Sequence, residues 1–162
     1  MEDSVDRHLA RWRGKAPYDE RVEAIVTRMQ TLVKHLRASK ETSVARVGLQ
    51  YFEYDTLHRL VAHGGSATPT ELATELMLSP AGMTGRLDTM EEAGLVRRIR
   101  STTDRRRVDV EITPRGDELW MDAMAIQGEV ETTMMAVLNA EDQESLDTLL
   151  KRLLTNAEHP SP

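Results

Sequence analysis

The feature that most constrains this chain is a pair of similar helix starts close together near its middle. Thr68 is followed by Pro69, and Ser79 is followed by Pro80. Threonine and serine cap helix N-termini, and proline is favoured at the first helical position because its missing N–H has no helical partner there. Glu71 lies three residues after Thr68, as in a capping box. The pattern predicts two helices joined by a very short connection.

The residues that break the helices set their lengths. The first helix is predicted over 69–76, the dipeptide Met77-Leu78 forms the turn, and the second helix runs to about Glu92. Gly94 ends it, because glycine readily adopts the left-handed conformation found after helix C-termini. A short helix, a tight turn and a second helix are typical of a helix-turn-helix.

A β-hairpin is predicted directly after the second helix. Residues 95–99 form its first strand, residues 101–106 its polar turn, and residues 108–112 its second strand, in which apolar and acidic residues alternate. A helix-turn-helix followed by such a hairpin is a winged helix-turn-helix, which we place between Ser66 and Gly116.

Apolar residues recur at helical spacing on both sides of this region, which predicts further helices. The first spans Ser4 to Arg13, with Ser4 as its cap and with Val5, Leu9 and Trp12 on one face. The expected fold class is mainly α with a small β-hairpin wing. The other helices are predicted over 17–38, 50–63, 114–139 and 141–156.

Charge is distributed unevenly along the chain. The net charge is −6, yet the window 86–107 holds seven arginines against four acids. A basic patch on an acidic body suits a protein that contacts nucleic-acid phosphates with one face. The same window is compatible with a solvated arginine-rich turn, and composition does not decide between the two.

The second helix of the motif and the hairpin tip are the candidate DNA contacts. The start of such a helix presents its side chains to base edges in the major groove, and a basic hairpin tip reaches phosphates or a minor groove. Ser79 caps its helix whether or not it touches DNA, and Asp104 and Arg106 could simply pair to fix the turn. The candidates are Ser79, Pro80, Gly82, Met83, Thr84, Arg86, Arg105, Arg106 and Arg107.

Several classes of function are disfavoured by what the sequence lacks. There is no cysteine, which excludes disulfides, thiol catalysis and cysteine-based zinc sites. The five histidines are dispersed and no glycine-rich phosphate loop is present, so we expect neither an enzyme nor a cofactor. No apolar run approaches the ~18 residues of a membrane span, and the charged N-terminus has no signal-peptide core. A cytoplasmic protein is expected.

Five segments together resemble the multiple-antibiotic-resistance regulator (MarR) family. The resemblance implies a homodimer, held by the first and last helices of both subunits, that binds a palindromic operator. It further implies a regulator, most simply a repressor, that is released from DNA by a small ligand. The segments are Thr70-Glu-Leu-Ala, Ser79-Pro-Ala-Gly-Met-Thr-Gly-Arg-Leu-Asp, Glu92-Ala-Gly-Leu-Val-Arg-Arg, Asp104-Arg-Arg-Arg-Val and Ile112-Thr-Pro-Arg-Gly.

A narrower resemblance is to the branch of that family that responds to urate and related purines and carries an extra N-terminal helix. It implies a ligand site made of Trp12, Asp55, Arg86 and Arg98. A planar anion can stack on tryptophan and pair with guanidinium groups, and the aspartate could hold an arginine in place until the anion arrives. Each residue also has a plainer interpretation: packing for Trp12, a surface charge for Asp55, and DNA contact alone for Arg86.

These expectations divide the chain into five parts. Two alternatives to a urate-type repressor stay open: the same fold used as an interaction module that does not bind DNA, and a DNA-binding regulator of an unrelated ligand. The parts are an extra helix (1–16), a dimerisation helix with its connector (17–48), the winged helix-turn-helix (49–116), C-terminal dimerisation helices (117–158) and a tail (159–162).

Overall fold

The computed structural model describes residues 2–15, 17–100 and 108–160, which are mostly helical. Seven helices and three short strands are formed in these ranges. In chain order they are α1 (Ser4–Trp12), α2 (Glu20–Arg46), α3 (Tyr51–Ala62), β1 (Ser66–Ala67), α4 (Pro69–Glu75), α5 (Pro80–Glu92), β2 (Val96–Arg100), β3 (Val108–Ile112), α6 (Pro114–Met135) and α7 (Ala140–Glu158).

The chain forms two compact units, whose boundary lies inside α6. The first unit ends at Met124 and contains the winged helix-turn-helix, and the second begins at Ala125 and contains α7. The functional division into five parts stays a prediction. None of the described helices is both long and apolar enough to cross a membrane.

The core of the first unit lies between α3, the helix-turn-helix and the sheet. Each element supplies side chains that are almost completely buried, and burying one such side chain stabilises the fold by about 1.5–3 kcal/mol. The helix-turn-helix therefore has a fixed apolar face, and its opposite face is left to solvent. The buried residues include Leu57 and Leu60 of α3, Leu72 of α4, Met83, Leu87 and Met90 of α5, Val96 of β2 and Val110 of β3.

The wing has one strand more than the predicted hairpin. β2 and β3 pair antiparallel as expected, with Arg97 opposite Glu111 and Arg98 opposite Val110. β1 adds to the other side of β3, giving the order β1-β3-β2. The sequence did not predict β1 because two residues are too few to show an alternating pattern.

Helix α1 packs against α2, and its cap and its apolar face differ from the prediction. Asp3, not Ser4, caps the helix, with a full capping box to Asp6. Val5 and Leu9 are buried, but Trp12 is 48% exposed and does not share their environment. The guanidinium of Arg28 on α2 holds the helix start, with Nε 2.8 Å from Asp3 Oδ2 and a second pair to Asp6.

Helices α2 and α7 leave their apolar stripes uncovered. α2 extends to Arg46, well beyond the predicted end near residue 38. The described part of α7 has no buried residue. The large exposed apolar side chains are Val22, Ile25, Val26, Leu32 and Val33 on α2 and Leu149, Leu150, Leu153 and Leu154 on α7.

The start of α6 is fastened to the backbone between α5 and β2. Thr113 Oγ1 donates to the carbonyl oxygen of Gly94 at 2.7 Å and accepts from the N–H of Gly116 at 3.0 Å. The N–H of Thr113 donates to the carbonyl oxygen of Leu95 at 3.1 Å. At Gly116, an added Cβ would lie 2.2 Å from that same oxygen. The Thr-x-x-Gly segment therefore joins the start of α6 to the connection between α5 and β2.

Candidate nucleic-acid interface and ligand residues

The N-terminal half of α5 presents a small, uncharged surface to solvent. Ser79 caps the helix, its Oγ accepting from the N–H of Gly82 at 3.1 Å, which confirms the cap. Pro80, Gly82 and Thr84 are exposed, and so are Ala81 and Gly85 between and after them. Small side chains at these positions allow the helix backbone to come close to a surface such as the floor of a major groove.

Met83 is a correction to the predicted contacts. Its side chain is 1% exposed and belongs to the core with Leu87 and Met90. These three residues recur at helical spacing, so they form the inward face of α5. Met83 therefore stabilises the fold and is not available to a thymine methyl group.

Arg86 lies on the side of α5 that faces α3. Its guanidinium carbon is 5.3 Å from the centre of the Phe52 ring, and its Nη1 donates to Thr56 Oγ1 at 3.4 Å. Thr56 is fully buried. A half-buried cation over an aromatic face is held electrostatically by the ring. Arg86 thus joins the two helices, and its charge sits at the flank of the exposed face of α5.

Arg98 is held by the opposite flank of α5. Nη2 lies 2.6 Å from Asp88 Oδ1, and Nη1 lies 2.7 Å from Glu91 Oε2. Nη2 also donates to the backbone oxygen of Thr84 at 3.3 Å. Burial alone would lower the pKa of Arg98, but the hydrogen bonds to the two carboxylates outweigh it and raise that pKa above its ordinary value. We call Arg98 with these three α5 residues the Arg98 cluster.

The sequence did not single out Asp88 and Glu91 as functional residues. In the sequence they are simply two of the acids within a basic window. A signal was present, since Thr84, Asp88 and Glu91 lie at i, i+4 and i+7 and so share one helix face. That β2 would bring an arginine to this face depends on tertiary packing, which the sequence pattern does not give.

Some of the other wing residues lie in the described strands, and the rest fall within residues 101–107, which the structure does not describe. Arg97 pairs with Glu111 across the strands, with Nη2 2.8 Å from Oε2. Arg100 is exposed at the end of β2. Arg105, Arg106 and Arg107, with Asp104, lie outside the described residues, so their predicted roles stay predictions.

The four predicted ligand residues are brought together only in part. Arg86 donates to Thr56, the residue that follows Asp55 in α3. Trp12 lies on α1, where its ring is 6.4 Å from that of His8. Within the described ranges, no hydrogen bond, ion pair or ring contact joins Trp12 to the other three residues.

Asp55 does not hold either arginine, contrary to the expectation from its chemistry. Arg86 is held by Thr56 and Phe52, and Arg98 is held by the acids of α5. In the part of the chain that the structure describes, Asp55 forms no ion pair. Asp55 itself lies on α3 and is half-buried.

Comparison with known proteins points to one group. Residues 47–107 match the model of the MarR family. The chain is 25% identical over 148 residues to the HTH-type transcriptional regulator PecS of Dickeya dadantii, covering 90% of this chain and 89% of PecS. It is 30% identical over 110 residues to the HTH-type transcriptional regulator MhqR of Bacillus subtilis, covering 68% of this chain and 75% of MhqR.

A solved structure shares the fold. It is a point mutant of MepR from S. aureus, bound to an oligodeoxyribonucleotide. The TM-score is 0.65 at 21% identity, and the match covers 82% of this chain and 97% of MepR. The relatives are transcriptional regulators, not enzymes.

Proposed function

The chain belongs to the MarR family of transcriptional regulators, and we propose that it is a repressor that binds a palindromic operator as a homodimer and leaves it when a small aromatic anion such as urate binds. The observation that carries the DNA-binding part is the exposed N-terminal half of α5. Its outer residues are small and uncharged, while its inner face is locked into the core.

The proposed contacts follow from this orientation. Ser79, Pro80, Gly82 and Thr84 face the bases or the adjacent phosphates. The arginines of the wing tip contact phosphates, and Arg86 reaches the DNA backbone from the flank of α5. MepR, which shares the fold, was solved with an oligodeoxyribonucleotide, and this supports the same use of the motif here.

The proposed homodimer is supported by the uncovered stripes of α2 and α7. Monomeric proteins rarely expose large contiguous apolar surfaces, and such stripes usually mark an interface. A two-fold symmetric dimer also presents two copies of α5 to DNA, which matches a palindromic site.

DNA binding is tested by fluorescence anisotropy with DNA from upstream of the protein's own gene, over a salt series. Neutralising phosphates releases counterions, so the logarithm of the affinity should fall linearly with the logarithm of the salt concentration. The matched variant is Arg107→Ala, which we expect to reduce the slope by about one. Absent or salt-independent binding would contradict the proposal and favour an interaction module that does not bind DNA.

The proposed ligand site uses Trp12, Asp55, Arg86 and Arg98. Arg86 and Arg98 are cations at the two flanks of α5, so an anion that attracts either one acts directly on the helix that reads DNA. A ligand shifts DNA affinity only if it binds the two conformations differently, and these arginines supply such a difference. Trp12 offers an exposed aromatic face for stacking.

The ligand is tested by a thermal-shift screen of urate, xanthine and unrelated aromatic anions. A ligand at about 100 times its Kd stabilises the folded chain by about 2.7 kcal/mol, which raises Tm measurably. Trp12→Phe and Asp55→Ala should reduce the shift, whereas His159→Ala, in the C-terminal tail, should not. A shift with an unrelated anion alone would favour the regulator of a different ligand, and no shift with any anion would contradict the site.

A further inference from the structure

Helix α5 carries more negative than positive charge, which is unexpected for a helix proposed to enter a DNA groove. Its acids are Asp88, Glu91 and Glu92, and its one arginine is Arg86, which packs over Phe52. DNA carries a phosphate charge every few ångströms, and like charges placed opposite one another disfavour an interface. The helix therefore needs positive charge from another element.

Strand β2 supplies this charge through Arg98. Its two terminal nitrogens lie 2.6 Å from Asp88 Oδ1 and 2.7 Å from Glu91 Oε2. The backbone N–H of Arg98 also donates to Glu91 Oε1 at 3.0 Å, so this carboxylate is bound twice. One guanidinium thus pairs with two of the three acids of α5.

The position of Arg98 is fixed by the fold. Side chains alternate along a strand, so Arg98 shares its sheet face with Val96, which is buried. The Arg98 side chain is only 28% exposed, whereas that of Arg97, on the other face, is 62% exposed. A partly shielded ion pair is screened less by salt than an exposed one. The contact is therefore formed in the free protein.

We propose that Arg98 is a positioning residue for DNA binding: it masks Asp88 and Glu91 and fixes β2 against α5, without contacting DNA itself. The inference rests on the proposed function, since it assumes that α5 approaches DNA. It assigns a role to two acids that would otherwise oppose binding.

The test is a mutant cycle measured by DNA binding over a salt series. The variants are Arg98→Ala, the double variant Asp88→Asn/Glu91→Gln, and the triple variant that combines them. We expect Arg98→Ala to weaken binding roughly tenfold, because two carboxylates are uncovered beside the phosphates. The triple variant should return to within about threefold of the wild type, because coupled residues are non-additive.

Arg97→Ala is the matched control. It removes the same charge one residue away, but its partner Glu111 lies on β3 and not on α5. We expect it to weaken binding by less than about threefold, since it uncovers no acid on the helix. The free energies of unfolding, measured without DNA, should be non-additive for substitutions of Arg98 and the two acids. They should be additive for substitutions of Arg97 and the same two acids.

Two results would overturn this inference and leave the proposed function standing. In the first, the wild type binds DNA, but the triple variant binds it as weakly as Arg98→Ala does. In the second, Arg98→Ala reduces the salt slope by about one, and the triple variant shows the same reduction. This result would indicate that Arg98 contacts a phosphate directly. A wild type without salt-dependent binding would overturn the proposed function, and this role with it.

Discussion

At Gly116 the chain has no room for a side chain, because an added Cβ would lie 2.2 Å from a backbone oxygen. We expect Gly116→Ala to lower the free energy of unfolding by about 1–3 kcal/mol, the usual cost of overpacking. The cost arises because relieving this overlap requires the backbone at Leu95 or the start of α6 to shift. Chemical denaturation measures it.

Gly85→Ala is the control for this prediction. Gly85 is also a helical glycine, but nothing lies within 4 Å of a Cβ added there. Alanine is favoured over glycine in a helix interior by about 1 kcal/mol, so this variant should be as stable as the wild type or more stable. Equal destabilisation of both variants would show that the contact with Leu95 is not the cause.

Met83 and Thr84 are neighbours on α5 with opposite expected roles. Met83→Ala should lower the free energy of unfolding by about 2–5 kcal/mol, because it leaves a cavity in the core. Thr84→Ala should change stability by less than about 0.5 kcal/mol, because the side chain is exposed. It should instead weaken binding to the operator by about 1 kcal/mol or more.

The measurements are denaturation for stability and competition between operator and unrelated DNA for specificity. Met83→Ala, studied at a temperature where it is folded, should prefer operator over unrelated DNA to the same extent as the wild type. A changed base preference in this variant would indicate that Met83 contacts DNA, which would contradict its burial.

The Arg98 cluster also bears on release from DNA. If an anion binds Arg98, it must compete with Asp88 and Glu91, and success leaves both carboxylates uncovered on α5. A ligand at this residue would therefore weaken DNA binding through charge as well as through movement of the helix.

Among the elements, those with strong local signals were predicted from the sequence. α4 and α5 begin at the predicted prolines, because a capping residue and a proline fix a helix start without help from tertiary contacts. The end of α2 was missed because its last turns lack the apolar stripe. They are helical because Ser43 and Val44 pack into the core, which only the folded chain reveals.

The candidate site was predicted by segment but not by orientation. The sequence placed Met83 and Arg86 on the right helix. Which of them points inward depends on how α5 rotates against α3, and a run of small residues does not determine that rotation. Arg98 was likewise placed on β2, but its partners depend on the packing of the strand against α5.

Helix α1 should be released from α2 at low pH. Arg28 holds the pKa of Asp3 at about 2, below the usual 3.8. A carboxyl group whose pKa is lowered in the folded state stabilises that state above its unfolded pKa, and this contribution is lost as the pH falls from about 4 to 2. Fluorescence of Trp12 in a Trp120→Phe background should report the release.

Arg28→Ala should produce the same release at neutral pH. Arg37→Ala is the control, because among the described residues Arg37 pairs only with Glu41, on its own helix, and is well exposed. Faster hydrogen exchange of the α1 amides is expected in the first variant and not in the second. Unchanged exchange in both would show that Val5 and Leu9 hold the helix without the ion pairs.

For the whole molecule, the proposed homodimer predicts sensitivity to charge on the apolar stripes. Leu153→Asp should weaken the dimer at least about 100-fold, because a two-fold interface receives the unpaired charge twice. Sedimentation equilibrium measures the change in apparent mass. Tm of the wild type should rise with protein concentration, as expected when association stabilises the folded state.

Lys151→Asp is the control for the dimer. Lys151 lies on the same helix but outside the apolar stripe, so the variant changes charge without entering the interface. A monomeric wild type, or equal dissociation of both variants, would contradict an interface formed by this stripe.

The face of α5 that anchors the helix in the core lies apart from the outward face proposed to read DNA, although Ser79 belongs to both sets as cap and proposed contact. Ser79 starts the helix, Met83 anchors it in the core, and Gly116 accommodates its end. Ala81 and Gly85 take no part in these contacts and face outward. Descendants of this protein could therefore acquire a new target sequence by substitutions at the outer positions, while selection for folding acts on a different set of residues.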